Sequence, residues 1–283
     1  MSWLNYVVTN FIPRRLASRI VGWISHSENP VVCAVSLWIW RRFTVIDLSD
    51  AERTDFRSMH DCFTRRLRPG ARVVDPDPAV VCSPCDAIVG AFGTVVGGRA
   101  LQVKGMGYAL GELLDDPDHA AALEGATFVT LRLTSAMYHR FHAPCDLSVR
   151  QVRHVFGDCW NVNPPTLQRV ARLFCRNERV VVRGAFGGGQ PITLVAVAAI
   201  LVSGIRLGFL PLEMEGRLPV RRAYDCDVAV GKGEEMGWFE HGSTIVVLAP
   251  AGMRMAESVR EGGRIWMGQA LLRLPDVGES VRT

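Results

Sequence analysis

From Pro69-Gly70 onward the chain breaks into short runs rich in Val, Ile and Thr, each bounded by Gly or Pro, and this rhythm constrains the fold more than any other feature. The runs are Ala79 to Cys82, Ala87 to Val96, Ala100 to Val103, Thr127 to Leu133, Leu147 to His154, Arg179 to Arg183, Pro191 to Val202, Gly242 to Leu248 and Arg264 to Leu272. They predict a largely antiparallel β domain with short helices over Leu110 to Leu114 and Leu167 to Leu173. Gly184 to Gly189 reads as a hairpin tip, because a phosphate cradle would need a Lys and a following helix. No internal repeat interrupts the domain, and the last ten residues read as a polar tail.

Residues 3 to 43 follow a different period. Trp3, Leu4, Tyr6, Val7, Phe11, Ile12, Leu16, Ile20, Trp23 and Ile24 recur at helical spacing with Arg14, Arg15 and Arg19 between them, and Trp38, Trp40, Arg41 and Arg42 close the region. Ser27-Glu28-Asn29-Pro30 divides it into two helices. Tryptophan and arginine on amphipathic helices suit the headgroup zone of an anionic bilayer, and the same faces could equally pack on the β domain; a helical hairpin can do both. The expected fold class is α+β, with N-terminal helices in residues 1–65 followed by a largely antiparallel β domain in 66–283.

No run reaches the roughly 18 to 20 apolar residues of a membrane span, the longest being Val31 to Trp40. The opening residues carry no early positive charge, and Arg14-Arg15 follow the first apolar stretch, which argues against a secretory signal. The expected location is therefore peripheral, on the cytoplasmic side of the cell membrane.

The chemistry begins at Gly242-Ser243-Thr244, which opens into the apolar run Ile245-Val246-Val247-Leu248-Ala249-Pro250. A serine hydroxyl beside the carbonyl of an unhindered glycine is placed for the backbone to attack itself. The peptide would become an ester, and elimination would leave a dehydroalanine that converts to a pyruvoyl ketone. Alone, the tripeptide is a turn before a strand. Distant segments supply partners: His139 and His142 in Tyr138-His139-Arg140-Phe141-His142-Ala143-Pro144, and Asp86 in a turn between two apolar runs. An Asp orienting a His that takes a proton from a Ser is the logic of nucleophilic catalysis, here in the chain order Asp86, His142, Ser243.

With these residues the chain resembles the bacterial phosphatidylserine decarboxylases. The likeness extends through Phe63-Thr64-Arg65-Arg66-Leu67-Arg68-Pro69-Gly70-Ala71-Arg72 with Asp75, Phe156-Gly157-Asp158 with Val162-Asn163, Leu173-Phe174-Cys175-Arg176-Asn177-Glu178-Arg179-Val180, and Lys232-Gly233-Glu234-Glu235-Met236-Gly237. The family usually has Leu where His241 stands and Pro-Ala-Asp-Gly where this chain has Pro84-Cys85-Asp86-Ala87. The resemblance implies a pyruvoyl cofactor made from Ser243 by cleavage between Gly242 and Ser243. That cleavage leaves a large chain, 1–242, and a small chain, 243–283, as a heterodimer, with a higher oligomer left open. It implies that Asp86 and His142 drive cleavage, and that the substrate amine forms a Schiff base at residue 243. His139 is then the proton donor or carboxylate-positioning group in turnover. Phosphatidylserine on an anionic membrane surface is the expected partner, with no nucleic acid.

Composition bears on the competing chemistries. Among 32 basic residues only Lys104 and Lys232 are lysines, which leaves a pyridoxal-phosphate enzyme just two candidates for its Schiff base. The eight cysteines follow no framework spacing, which suits a reducing compartment. Cys82-x-x-Cys85 lacks the second pair of a structural zinc site, and no Glu or Cys at ligand spacing completes His139 and His142, so no metal is expected. Two other classes stay open on sequence alone: a serine hydrolase using the same Asp86, His142 and Ser243 without self-cleavage, and a non-catalytic lipid-binding protein.

Overall fold

The computed structural model describes residues 14–103, 106–199, 204–210, 221–240 and 243–274. Trp3 to Ile12, Lys104, His241, Gly242 and nearly all of the C-terminal tail lie outside the described residues. The helices are α1 (Arg14–Ser25), α2 (Pro30–Phe43), α3 (Met59–Phe63), α4 (Leu110–Leu114), α5 (Pro117–Ala121), α6 (Pro164–Leu167) and α7 (Leu173–Arg176). The strands are β1 (Val80–Cys82), β2 (Ala87–Thr94), β3 (Arg99–Val103), β4 (Met106–Ala109), β5 (Ala126–Leu133), β6 (Arg140–His142), β7 (Leu147–Val155) and β8 (Arg179–Phe186). They continue with β9 (Gln190–Ala198), β10 (Ile205–Leu207), β11 (Arg221–Val230), β12 (Glu235–Phe239), β13 (Ser243–Ala251), β14 (Arg254–Met255), β15 (Arg264–Ile265) and β16 (Ala270–Arg273). N-terminal helices followed by antiparallel sheets make the fold α+β, as expected.

An eight-stranded sheet in the order β11-β7-β8-β9-β13-β5-β2-β15 carries the architecture. Its centre is β13, whose continuous apolar sequence reflects burial on both faces. Ile245, Val247 and Ala249 pack with Leu131, Leu133, Ala196 and Ala198 on one side, joined by Phe141 and Phe239. Val246 and Leu248 pack on the other with Val195, Val197, Phe128 and Tyr108. The period of two that separates these sets also decides which face each site residue can reach.

A three-stranded sheet, β10-β12-β6, contributes to the first of these layers and holds His142. Its close fit rests on Gly237, where a Cβ would stand 2.0 Å from the Arg206 carbonyl oxygen. A second short sheet, β1-β16-β14, leads from β1 into the turn that bears Asp86.

Several strand limits differ from the sequence expectation. The run expected over Arg264 to Leu272 divides into β15 and β16 around Gly268 at φ +87. The helix expected over Leu167 to Leu173 divides into α6 and α7, with Arg172 in the left-handed region between them. Strand β11 was not expected, because an edge strand in Arg-Arg-Ala-Tyr-Asp-Cys-Asp lacks a continuous apolar run. The glycine hairpin tip is present: Phe186 pairs with Gln190 around Gly187-Gly188-Gly189.

The two long helices are separated at residues 26–29, and Asn29 caps α2 by accepting from the Val31 and Val32 amides. One face of α2 is committed inward, because Trp40 joins Cys62 and Phe63 of α3 in a small apolar cluster. Trp23 of α1 is 79% and Trp38 of α2 65% exposed, with Val31, Val35, Ile39 and Phe43 of α2 also exposed. Among the described residues no helix is long and apolar enough to cross a membrane.

A candidate active site at the head of the central strand

Ser243 is the first residue of β13 and pairs with Leu133 of β5 on one side and Ala198 of β9 on the other. All three residues stand at the ends of their strands, so the serine sits at the mouth of the sheet. Its side chain is fully buried, and Oγ has no hydrogen-bond partner among the described residues. A buried hydroxyl in that condition costs about 1–3 kcal/mol, a debt that structures keep mainly where the group has work to do.

His142 lies at the end of β6, and its amide donates to the Pro84 carbonyl at 2.8 Å. That contact, with Cys82 N–H donating to the Pro144 carbonyl at 2.8 Å, ties the Asp86 turn to the histidine strand. Nδ1 of His142 lies 2.9 Å from the Gly233 carbonyl oxygen, and Nε2 lies 2.9 Å from the Tyr138 hydroxyl. A carbonyl only accepts, so Nδ1 carries the proton and Nε2 is the basic nitrogen, receiving the phenol's O–H. Gly233 takes φ +82 in this turn, and a Cβ there would stand 2.6 Å from Val74 Cγ2.

Burial pushes His142 below the ordinary imidazole range, against the Gly233 hydrogen bond and the Glu235 and Asp86 carboxylates, which pull it up. The ring is consequently held neutral at physiological pH. A base of this kind is active above its pKa and is lost as pH falls through it.

Asp86 is 1% exposed. Its Oδ1 accepts from Arg72 Nε at 2.9 Å and from the Met267 amide at 2.9 Å, and Oδ2 accepts from Arg72 Nη2 at 2.6 Å. Arg72 also bonds Asp50 and lies over the Trp266 ring. Asp86 therefore acts on His142 through its field and not through a hydrogen bond. Among the described residues no hydrogen bond joins Asp86 to His142 or His142 to Ser243: Arg72 holds the carboxylate, the Gly233 carbonyl fixes the imidazole tautomer, and Tyr138 occupies the basic nitrogen.

His139 is fully buried, its ring stacked on Phe63 at 3.9 Å between centroids. Nε2 donates to the Thr134 carbonyl at 3.0 Å. Thr134 follows Leu133, the cross-strand partner of Ser243, so this bond anchors His139 at the end of β5 beside the serine. The two histidines thus have separate surroundings. His142 belongs to a polar network, whereas His139 joins the sheet end to the apolar cluster under α2 and α3.

Tyr138, Gly233 and Arg72 received no role from the sequence. Each lies inside a segment that carried the family resemblance, but only the folded chain shows that they partner His142 and Asp86. Cys82 and Cys85 are both buried, and burial raises both thiols above their ordinary range.

Tyr138→Phe tests the arrangement around His142. The phenol stabilises the neutral imidazole, so its loss should raise the His142 pKa and move the acid limb of the site's pH dependence to higher pH, with the site still competent at neutral pH. A limb that stays in place, or loss of function at every pH, would contradict the assignment.

The chain matches the family model for phosphatidylserine decarboxylase over residues 59–273. It is 35% identical to a phosphatidylserine decarboxylase proenzyme of Xanthomonas euvesicatoria over 94% of this chain and 97% of the relative. The corresponding proenzyme of Halorhodospira halophila is 36% identical over 93% of this chain and 91% of the relative. That of Bordetella petrii is 35% identical over 93% and 94%.

Proposed function

The chain belongs to the phosphatidylserine decarboxylase family, and we propose that it converts phosphatidylserine to phosphatidylethanolamine with a pyruvoyl group made from its own Ser243. The observation that carries this reading is the fully buried Ser243 Oγ at the head of β13, which has no hydrogen-bond partner among the described residues. The residues fit the group: the serine is already enclosed, and Ala198 beside it on the sheet leaves its surroundings small.

In the maturation step Ser243 Oγ adds to the Gly242 carbonyl carbon. His142 Nε2 takes the hydroxyl proton once Tyr138 gives up its place at that nitrogen. The imidazolium so formed is stabilised by the Gly233 carbonyl on Nδ1 and by the nearby Asp86 and Glu235 carboxylates. Arg72 and the Met267 amide keep Asp86 fixed while this charge develops. The Gly242–Ser243 C–N bond then breaks as the imidazolium returns its proton to the departing nitrogen, giving the ester. Loss of the residue 243 α-proton eliminates Gly242 as a carboxylate, and water adds to the imine tautomer of the enamine and displaces its nitrogen as ammonia.

In turnover a pyruvoyl group at residue 243 supplies the electron sink for loss of carbon dioxide. His139, held by Thr134 and Phe63, is proposed to deliver the proton that replaces the carboxylate on the substrate. Its apolar surroundings exclude competing water. His139→Ala should still yield two chains but lose about 10²- to 10⁴-fold in turnover. Full cleavage with near-normal turnover would remove His139 from the reaction, and absence of cleavage would mean that it serves maturation.

The substrate is a lipid, and the exposed Trp23, Trp38, Ile39 and Phe43 with Arg41 and Arg42 form a surface suited to an anionic bilayer. We assign residues 1–65 to peripheral membrane association at the cytoplasmic face and residues 66–283 to catalysis. Trp40 packs on Phe63, which stacks on His139, so a continuous set of contacts runs from the lipid-facing helix to the site. The direct test is carbon dioxide release and phosphatidylethanolamine formation from vesicles containing phosphatidylserine. Protein that stays one chain and releases no carbon dioxide would defeat the proposal.

A further inference from the structure

On the sheet face opposite Ser243, Arg132 of β5 stands directly across from Thr244. Both line a cavity of about 190 Å³ between β2 and α6, together with Thr130, Gln102 and Gln168. Arg132 makes no hydrogen bond or ion pair with any described residue, and burial disfavours its charge. Thr244 is fully buried, and its Oγ1 has no hydrogen-bond partner. Gln102, in contrast, is fully engaged: its amide nitrogen donates to the Leu167 and Val170 carbonyls, and its oxygen accepts from the Leu173 amide. Glu261 lines the mouth from the exposed side without forming an ion pair with Arg132. The cavity therefore presents one uncompensated cation and two buried hydroxyls, Thr244 Oγ1 and Thr130 Oγ1, without hydrogen-bond partners among the described residues, a combination that is costly unless an anion occupies it.

We propose that Arg132 and Thr244 form the subsite that binds the phosphodiester of the lipid headgroup, an inference that rests on the decarboxylase reading. Thr244 is the residue next to Ser243. In phosphatidylserine only a methylene and an ester oxygen separate the serine α-carbon from phosphorus, so a headgroup held at residue 243 can turn over the sheet end and place its phosphate in this cavity. The planar guanidinium fork matches two phosphate oxygens, and the threonine hydroxyl donates to one of them. The substrate carboxylate is the poorer occupant. A cation on it would stabilise the ground state more than the transition state, in which that charge is leaving, and would slow the reaction.

The test compares wild type, Arg132→Met and Arg132→Lys on a short-chain phosphatidylserine and on an O-alkyl serine ether, which keeps the amine and carboxylate but lacks phosphate. Arg132→Met should still mature and should raise KM for the phospholipid about 10- to 100-fold with little change in kcat. Arg132→Lys should fall between it and wild type, and the ether should react alike with all three. An unchanged KM for the phospholipid, or equal losses on both substrates, overturns the subsite. Calorimetry with dimethyl phosphate reads the site without turnover: wild type should bind it and Arg132→Met should not. Equal binding by both proteins, or none by wild type, also overturns the subsite, whereas phosphate binding by a wild type that releases no carbon dioxide would count against the decarboxylase reading alone.

Discussion

Ser243→Ala is expected to leave one uncleaved chain of 283 residues that releases no carbon dioxide from phosphatidylserine. The substitution removes the nucleophile of the first reaction and the source of the ketone of the second, so both fall together and completely. The fold should survive, because an alanine removes a buried hydroxyl that has no hydrogen-bond partner among the described residues. Removing an unsatisfied polar group of this kind is neutral or stabilising. A gel and a carbon dioxide assay on one preparation, with a thermal melt, check all three statements. Residual turnover from an intact chain would rule out the pyruvoyl chemistry.

The second large effect is at Asp86. Asp86→Asn removes the more deeply buried of the two carboxylates that pair with the Arg72 guanidinium, itself 11% exposed, and leaves it only Asp50, so the cost approaches but stays below the about 3–5 kcal/mol of a fully broken buried pair. Maturation should stall as well, because the field that stabilises the His142 imidazolium is gone. Stability and chemistry can be separated by the double variant Arg72→Met/Asp86→Asn. It should regain much of the lost stability, since both members of the pair are then uncharged, yet still fail to mature. If the double variant matures at the wild-type rate, Asp86 is a structural residue and the electrostatic role given to it is wrong.

The sheet was readable where strands are covered on both faces, as in β13, because a continuous apolar run between Gly and Pro has few other uses. It was hidden where strands are short or polar: β6 spans only three residues, and β11 alternates charges along an edge. The site was readable in its residue types and not in its pairings. Asp, His and Ser in that order suggested a direct relay, but Asp86 is held by Arg72, and His142 by Gly233 and Tyr138. The Gly233 contact is invisible in sequence because it uses a backbone carbonyl in a left-handed turn, which any glycine-containing loop could offer. The three-residue spacing of His139 and His142 does not by itself say what each ring faces. In the fold His139 stacks on Phe63 just before β6, while His142 at the end of β6 lies against Tyr138, so the two rings have different surroundings.

The central claim is that the chain cuts itself before Ser243 and converts that residue into a ketone. Intact mass spectrometry of the purified wild-type protein tests it most directly. The account predicts two species, a large chain ending at Gly242 and a small chain comprising residues 243–283 whose mass is lower, by one ammonia, than that of a peptide beginning with serine. A single species at the full mass, or a small chain with an ordinary serine amino terminus, would contradict it.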